Sequence, residues 1–241
     1  MVEKYANPKN FMDLASKVLP FFIGLTLVFF TYGLYISFFD SPPDYQQKET
    51  VRIMYIHVPA AWYAMSLFLG MGINSIFVIW RRHHLANIAS KVMAPIGAVF
   101  CLICLITGSL WGRPTWGTYW IWDARLTSML ILFFIYTGYI LIHLVTEDKF
   151  KAARIAAIFC LIGVIDLPII KFSVEWWNTL HQGPSILKAG GPSIHTAMLW
   201  PLFTMAFGYL FLSITLIIIG VRTELMQNHI TRLIRKSVSG V

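Results

Sequence analysis

The stretch from Leu126 to Val145, LTSMLILFFIYTGYILIHLV, runs for twenty residues without a single Asp, Glu, Lys or Arg. A helix of about 20 apolar residues is long enough to cross the roughly 30 Å hydrocarbon core of a bilayer. Five other apolar runs of similar length occur in the chain, so the predicted spans cover about 19–39, 57–80, 92–110, 126–145, 153–172 and 195–220. The sequence therefore predicts an all-α, polytopic integral membrane protein with six transmembrane helices, folded as a single membrane domain over residues 1–241.

The overall composition excludes a soluble protein. Of the 241 residues, 57% are hydrophobic and only 12% are charged, whereas an ordinary soluble domain has about 25% charged residues. The aromatic content of 15% is also too high for a disordered chain. The net charge of +8 is spread over short basic clusters between apolar runs, which does not indicate nucleic-acid binding. The predicted environment is membrane lipid.

The distribution of basic residues predicts the orientation of the spans. If both termini lie on one side, only six of the 19 Lys and Arg residues fall on the other: Lys48, Arg52, Arg113, Arg125, Lys171 and Lys188. Loops rich in Lys and Arg remain in the cytoplasm. Both termini are therefore predicted to be cytoplasmic, and the loops at about 111–125 and 173–194 are predicted to lie outside.

Three histidines fall on the predicted outer side. An isolated interfacial histidine usually just keeps its polar tip in water. His57 begins the second predicted span, with Pro59 well placed at a helix N-terminus, and His181 lies in an aromatic segment, EWWNTLHQG, at 175–183. His195 has no aromatic neighbour in sequence before Trp200, so it ranks third as a candidate ligand.

The outer segment 111–123, WGRPTWGTYWIWD, holds the densest aromatic cluster of the chain. Trp and Tyr commonly form a belt where helices leave a membrane. Four Trp, one Asp and two Arg in and beside one loop are more than anchoring at the membrane surface needs. This cluster therefore favours a binding platform. Its glycines and proline argue against one continuous helix through the first half. If the segment from Trp116 onward is helical, the spacing puts Trp116, Tyr119, Trp120 and Asp123 on one face of a short interfacial helix.

Such a platform suits a large, flat ligand with acidic edges. Indole faces stack on flat apolar molecules, guanidinium groups pair with carboxylates, and two neutral imidazoles can complete the coordination of haem iron. We therefore expect His57 and His181 to be axial ligands of the iron. The predicted surroundings of the porphyrin are Trp111, Trp116, Tyr119, Trp120, Trp122 and Asp123, with Arg113 or Arg125 pairing with the propionates.

The segment 116–128, WGTYWIWDARLTS, resembles the tryptophan-rich WWD signature of haem-handling membrane proteins in cytochrome c biogenesis, and within that group the chain most resembles the haem exporter protein C (CcmC) family. Further matching segments are DYQQ at 44–47, HVPAAW at 57–62, MAPIGAVF at 93–100, LPII at 167–170 and SVEWWNTLHQG at 173–183. The resemblance implies non-covalent haem b at the periplasmic face of the bacterial inner membrane, with His57 and His181 as axial ligands.

The resemblance also implies what the chain does. A member of this family associates with CcmA, CcmB and CcmD and presents haem to the chaperone CcmE. The expected role is a haem-binding and delivery subunit, not an enzyme, with ATP hydrolysis in a partner chain because no nucleotide-binding motif is present.

Two other functions compete with this reading, and one residue is left without an assigned role. The CxxC pair Cys101 and Cys104 is typical of a thiol-disulfide oxidoreductase when it is exposed, but here it falls within a predicted span. A quinone-linked, cytochrome b type carrier would need histidine pairs deep within helices. Asp166, an acidic residue inside a predicted span, is either functional or satisfied by its surroundings next to Pro168.

Overall fold

The computed structural model describes residues 7–177, 179, 181, 183, 186, 191 and 194–239, and this part of the chain is almost entirely helical. A π-helical turn, Ile36–Asp40, extends the first helix, and a 3₁₀ turn, Glu49–Ile53, leads into the second. The α-helices are α1 (Pro8–Tyr35), α2 (Met54–Arg81), α3 (His84–Trp116), α4 (Ala124–Val145), α5 (Lys149–Gly163), α6 (Asp166–Trp176) and α7 (Thr196–Ser239).

Six helical stretches of the described residues are long and apolar enough to cross a membrane. They are Pro8–Asp40, Glu49–Arg81, His84–Trp116, Ala124–Val145, Lys149–Trp176 and Thr196–Val238. The predicted all-α, polytopic class is confirmed. The helices run beyond the apolar runs, most of all α7, which continues from residue 220 to Ser239. Residues 221–239 are more polar but contain no Gly or Pro, so hydropathy falls while the backbone remains helical.

Aromatic side chains from neighbouring helices pack against each other in the interior of the bundle. Helix α2 lies along α3, and α1 lies along α7. The ring of Phe68 meets the edge of Tyr136 at 5.0 Å between centroids, and the hydroxyl of Tyr136 donates to the carbonyl of Ala64 at 2.7 Å. Both aromatic rings are fully buried, so α2 and α4 are held in one fixed register.

The fifth span is broken into two helices, α5 and α6. Residues Val164 and Ile165 form a turn, and Pro168 follows as the third residue of α6. Proline lacks the backbone N–H of a continuous helix and is tolerated in a first turn, so the helix restarts here. Asp166 begins α6 with only 7% of its surface exposed, and among the described residues its Oδ2 has no hydrogen-bond partner.

Successive spans alternate in direction, so three connecting segments lie at one end of the bundle. These are residues 41–48, 117–123 and the described positions between Trp177 and His195; we call this the aromatic end. The opposite end carries the first and last described residues, and there Lys91 of α3 pairs with Glu224 of α7 at 2.5 Å. The fold thus gathers the aromatic segments predicted to be functional at a single end.

Candidate functional site

The end of α3 differs from its prediction and shapes the site. The helix continues through Gly112 and Pro114 to Trp116. A proline in the last turn removes only one backbone hydrogen bond of the helix. The indole of Trp116 folds back over Gly112. Gly117, with φ of +76°, then ends the helix in a left-handed conformation that glycine adopts readily, and its N–H donates to the carbonyl of Arg113 at 2.9 Å.

The short interfacial helix that the spacing from Trp116 to Asp123 would allow does not form. Residues 117–123 are not helical, so the side chains expected on one helix face lie on a bent, extended segment. The physical reason is that Gly117 terminates one helix while Asp123 begins the next. Asp123 Oδ1 accepts the backbone N–H of Leu126 at 2.8 Å, as an N-cap does.

His57 lies within α2 and is held by α3. Helix α2 starts at Met54, so Pro59 stands inside the helix and not at its N-terminus as predicted. The Nδ1 atom of His57 lies 3.1 Å from both the carbonyl oxygen of Cys104 and the Oγ1 of Thr107. A carbonyl can only accept, so Nδ1 carries the proton and donates it to these neighbours.

Trp111 packs against His57 and is itself fixed by the segment 41–48. The two rings meet edge to face with centroids 5.6 Å apart. The indole N–H of Trp111 donates to Oε1 of Gln47 at 2.8 Å. Asp44 Oδ1 in turn accepts the backbone N–H groups of Gln46 and Gln47 at 2.9 and 2.8 Å. Sequence reasoning used 44–47 only as a matching segment and missed that Gln47 orients Trp111.

His181 is held by a carboxylate and an indole. Its Nδ1 lies 2.7 Å from Oδ2 of Asp123, and its ring meets Trp116 edge to face at 4.9 Å. Burial lowers the pKa of His181, although the charge of Asp123 and the hydrogen bond to it oppose that shift. The imidazole is therefore neutral at pH 7, and the contact is a hydrogen bond from Nδ1–H to a carboxylate.

The two histidines therefore share a chemical arrangement. In each ring the proton sits on Nδ1, which leaves the lone pair on Nε2, the nitrogen that can bind a metal. The Nε2 of His57 lies 4.0 Å from the Sγ of Cys104. A charge on His181 would act on the ring of His57, and the charge of Arg125 is close enough to affect both rings. Two positions 124 residues apart in sequence thus lie at the same end of the bundle, each beside a tryptophan near the end of α3.

The other predicted site residues form an outer surface. The guanidinium of Arg113 stacks 4.6 Å from the ring centroid of Tyr119. The ring centroids of Trp120 and Trp122 lie 5.4 Å apart, and 75% of the surface of Trp122 is exposed. Among the described residues, the indole N–H of Trp120 is buried without a partner. The aromatic set thus divides into two indoles that contact the imidazoles, Trp111 and Trp116, and three rings nearer the surface.

Arg125 and His195 have different surroundings. Arg125 is partly buried in the first turn of α4, where its Nε donates to Oγ of Ser173 in α6 at 3.3 Å. His195 is exposed, and its Nδ1 accepts the backbone N–H of Ala197 at 3.2 Å, which is a helix-capping contact at the start of α7. The capping contact accounts for His195 without a ligand role.

The cysteine pair does not have the surroundings of a redox site. Cys101 and Cys104 are free thiols with 0% and 6% of their surface exposed. The Sγ of Cys101 lies 3.2 Å from the carbonyl of Met129 in α4. Reactive thiols need access to their partners and a neighbourhood that stabilises the thiolate, and neither condition is met in this packed interior.

Comparison with known proteins shows the family of the chain. The family model described as CcmC, Heme exporter protein C, matches residues 1–236. The Heme exporter protein C of Bradyrhizobium diazoefficiens is 48% identical over 228 residues, which cover 95% of this chain and 86% of that protein. The Heme exporter protein C of Escherichia coli K12 is 43% identical over 226 residues, or 93% and 91% of the two chains. The length and identity of these matches leave one conclusion: the chain belongs to the Heme exporter protein C family, a component of cytochrome c maturation.

Proposed function

We propose that this chain binds haem at the aromatic end with His57 and His181 as axial ligands and hands it to a chaperone. The supporting observation is the matched pair of imidazoles, each with Nδ1 fixed by an acceptor and Nε2 left with its lone pair. Metal-binding histidines are usually oriented through their other ring nitrogen in this way. The relatives named Heme exporter protein C support haem as the ligand.

The residues present fit haem b bound without a covalent link. Two neutral nitrogens are a common axial ligand set for haem iron. Trp111 and Trp116 place indole rings beside the two imidazoles, where they can contact a flat porphyrin. Arg113 and Arg125 are the cations available for the propionates. The chain has no CxxCH motif for covalent attachment.

An iron atom with two axial imidazoles has no open coordination position. Such a site suits holding and transferring haem better than oxygen chemistry or turnover. The chain therefore acts as a delivery subunit, and ATP hydrolysis belongs to a partner. The exposed rings of Tyr119 and Trp122 form the surface against which CcmE receives the haem, while CcmA, CcmB and CcmD complete the complex.

The proposed location is the bacterial inner membrane, with both termini in the cytoplasm and the haem site in the periplasm. The excess of Lys and Arg at the end with both termini supports this orientation. Exposed apolar side chains along the spans provide the lipid-facing surface; examples are Phe21, Leu27, Val28 and Phe134.

The ligands are tested by spectroscopy of the purified protein. His57→Ala and His181→Ala should each abolish six-coordinate, low-spin haem, because each removes one axial nitrogen. Added imidazole should restore the six-coordinate spectrum wherever haem is retained. His195→Ala is the matched control, since that histidine lies at the same end in a helix cap, and it should bind haem as the wild type does. An unchanged bis-imidazole spectrum in either ligand variant would reject the assignment.

The delivery step is tested separately. Haem-loaded protein mixed with haem-free CcmE should lose its haem to the chaperone, and Trp122→Ala should slow this transfer without changing the spectrum before mixing. The control is Trp80→Ala, because Trp80 is 68% exposed but lies at the opposite end of the bundle. Equal transfer rates in both variants would show that the outer surface around Trp122 takes no part in haem transfer to CcmE.

A further inference from the structure

One face of α3 carries two glycines, Gly108 and Gly112, four residues apart. A glycine inside a helix is less favourable than an alanine, so two of them on one face need a structural reason. Residues at this spacing are neighbours on the helix surface, separated by about 6 Å along its axis. The same face includes Cys104, Thr107 and Trp111, the residues that contact His57.

Gly108 lies directly beneath the imidazole of His57. A Cβ atom added to Gly108 would stand 3.0 Å from Cε1 and 3.5 Å from Nδ1 of that ring. The first distance is shorter than ordinary van der Waals contact, so the ring would have to move. Any such movement disturbs the Nδ1 hydrogen bonds to Cys104 and Thr107, both of which are 3.1 Å long.

Gly112 leaves room in the same way for the indole of Trp116, the ring that contacts His181. A Cβ atom there would stand 2.6 and 2.7 Å from Cε3 and Cζ3 of Trp116, distances that real Cβ atoms essentially never show. The indole of Trp116 would be pushed away from α3. Because this ring contacts His181 at 4.9 Å, its displacement changes the surroundings of the second imidazole.

We propose that Gly108 and Gly112 are positioning residues that set where the two imidazoles stand relative to each other. Gly108 allows the ring of His57 to lie against the backbone of α3, and Gly112 allows Trp116 to fold back and support His181. The inference rests on the proposed function, because it concerns the same pair of ligands. It adds a requirement that neither histidine reveals: the scaffold between them must lack side chains at two positions.

The test compares three glycine-to-alanine variants of the purified protein. Gly108→Ala should weaken haem binding by about tenfold or more, the usual effect of disturbing groups that orient a metal ligand. Its haem should shift from low-spin six-coordinate towards high-spin five-coordinate, and added imidazole should restore the six-coordinate spectrum. Gly112→Ala should act in the same direction but less strongly, because it reaches His181 only through Trp116.

Gly24→Ala is the matched control. Gly24 lies inside α1 with nothing within 4 Å of an added Cβ atom, so alanine should leave haem binding unchanged and favour the helix. Thermal unfolding of the haem-free proteins separates ligand displacement from misfolding. If Gly108→Ala does not fold, Gly112→Ala carries the test alone.

The possible results distinguish this inference from the proposed function. Wild-type protein without six-coordinate haem would reject the proposed function. A second possible result is that the wild type binds six-coordinate haem and that Gly108→Ala and Gly112→Ala match Gly24→Ala in spectrum and affinity. That result would overturn only the positioning role. Loss of six-coordinate haem that imidazole restores would support it.

Discussion

The surroundings of His57 and His181 differ in backbone and in charge although both rings have Nδ1 fixed by an acceptor. His57 is part of α2, and its acceptors are the neutral oxygens of Cys104 and Thr107 on α3. His181 lies in the connection between α6 and α7, and its acceptor is the carboxylate of Asp123. Helix packing therefore positions one ligand, whereas a hydrogen bond to a carboxylate and the edge of an indole ring position the other.

This difference has a chemical consequence for ligation. A carboxylate that accepts the Nδ1 proton increases the basicity of the ring, so Nε2 of His181 becomes the stronger donor to a metal. The neutral acceptors of His57 increase the basicity of its ring less, but two of them hold the Nδ1 proton. We expect haem binding to depend heavily on the one acceptor of His181 and less on either acceptor of His57.

Among the acceptors that hold the two rings, Asp123 should show the largest effect when it is replaced, in the variant Asp123→Asn. Asparagine keeps the helix cap through its oxygen, but turns an NH₂ group towards Nδ1 of His181. Two donors then face each other, so the ring must place its proton on Nε2 and lose the lone pair needed for the metal. Haem affinity should fall by about 10- to 100-fold in a titration monitored by optical spectroscopy.

Asp148→Asn provides the control for the cap. Asp148 caps α5 at the opposite end, where its Oδ1 accepts the N–H groups of Phe150 and Lys151 at 2.8 and 3.2 Å. It contacts no imidazole that the structure records, so this variant should bind haem normally. If Asp123→Asn also binds normally, the carboxylate does not set the tautomer of His181.

Thr107→Val should have a smaller effect on the His57 side. Valine keeps the branched shape but removes one of the two acceptors of Nδ1, while the carbonyl of Cys104 remains at 3.1 Å. A neutral hydrogen bond contributes about 0.5–1.5 kcal/mol, which corresponds to about a two- to tenfold loss of haem affinity.

The control for this variant is Thr137→Val. Thr137 in α4 donates to the carbonyl of Phe133 at 2.9 Å, a helix contact of the kind that Thr107 makes with Ile103, and it has no recorded contact with either histidine. Equal loss in the two variants would indicate general destabilisation. A loss at Thr107 that exceeds the loss at Asp123 would reverse the proposed difference between the two ligands.

The sequence alone predicts the class of the fold because bilayer thickness sets the length of each span. The apolar run 126–145 lies within α4, Ala124–Val145, and every other predicted run overlaps one helical stretch. The outer histidines and the tryptophan-rich segment were also recognisable, since residue type and side of the membrane limit which groups can share a ligand.

The conformation of 111–123 could not be predicted because local signals compete there. Gly112 and Pro114 indicate a break in isolation, but the indole of Trp116 covers the glycine and the proline falls in the last turn. Gly117 then stops the helix before the helical spacing of the aromatic residues can take effect. The parts played by Gln47 and Thr107 depend on contacts across 64 and 50 residues, which no local pattern contains.

The smallest expected effect is that of replacing both Cys101 and Cys104 with alanine. The side chain of Cys104 lies 4.0 Å from Nε2 of His57, but the group that holds this ring is the backbone carbonyl, which alanine retains. Haem affinity should therefore stay within about twofold of the wild type, because the sulfur contacts that are lost, such as Cys101 Sγ to the carbonyl of Met129, are not the ones that hold the imidazole ring. The thermal unfolding temperature should fall slightly, because two buried side chains are shortened. If the double variant binds haem normally but no longer delivers it to CcmE, a thiol step is required after all, and the positions of His57 and His181 do not suffice to explain what this chain does.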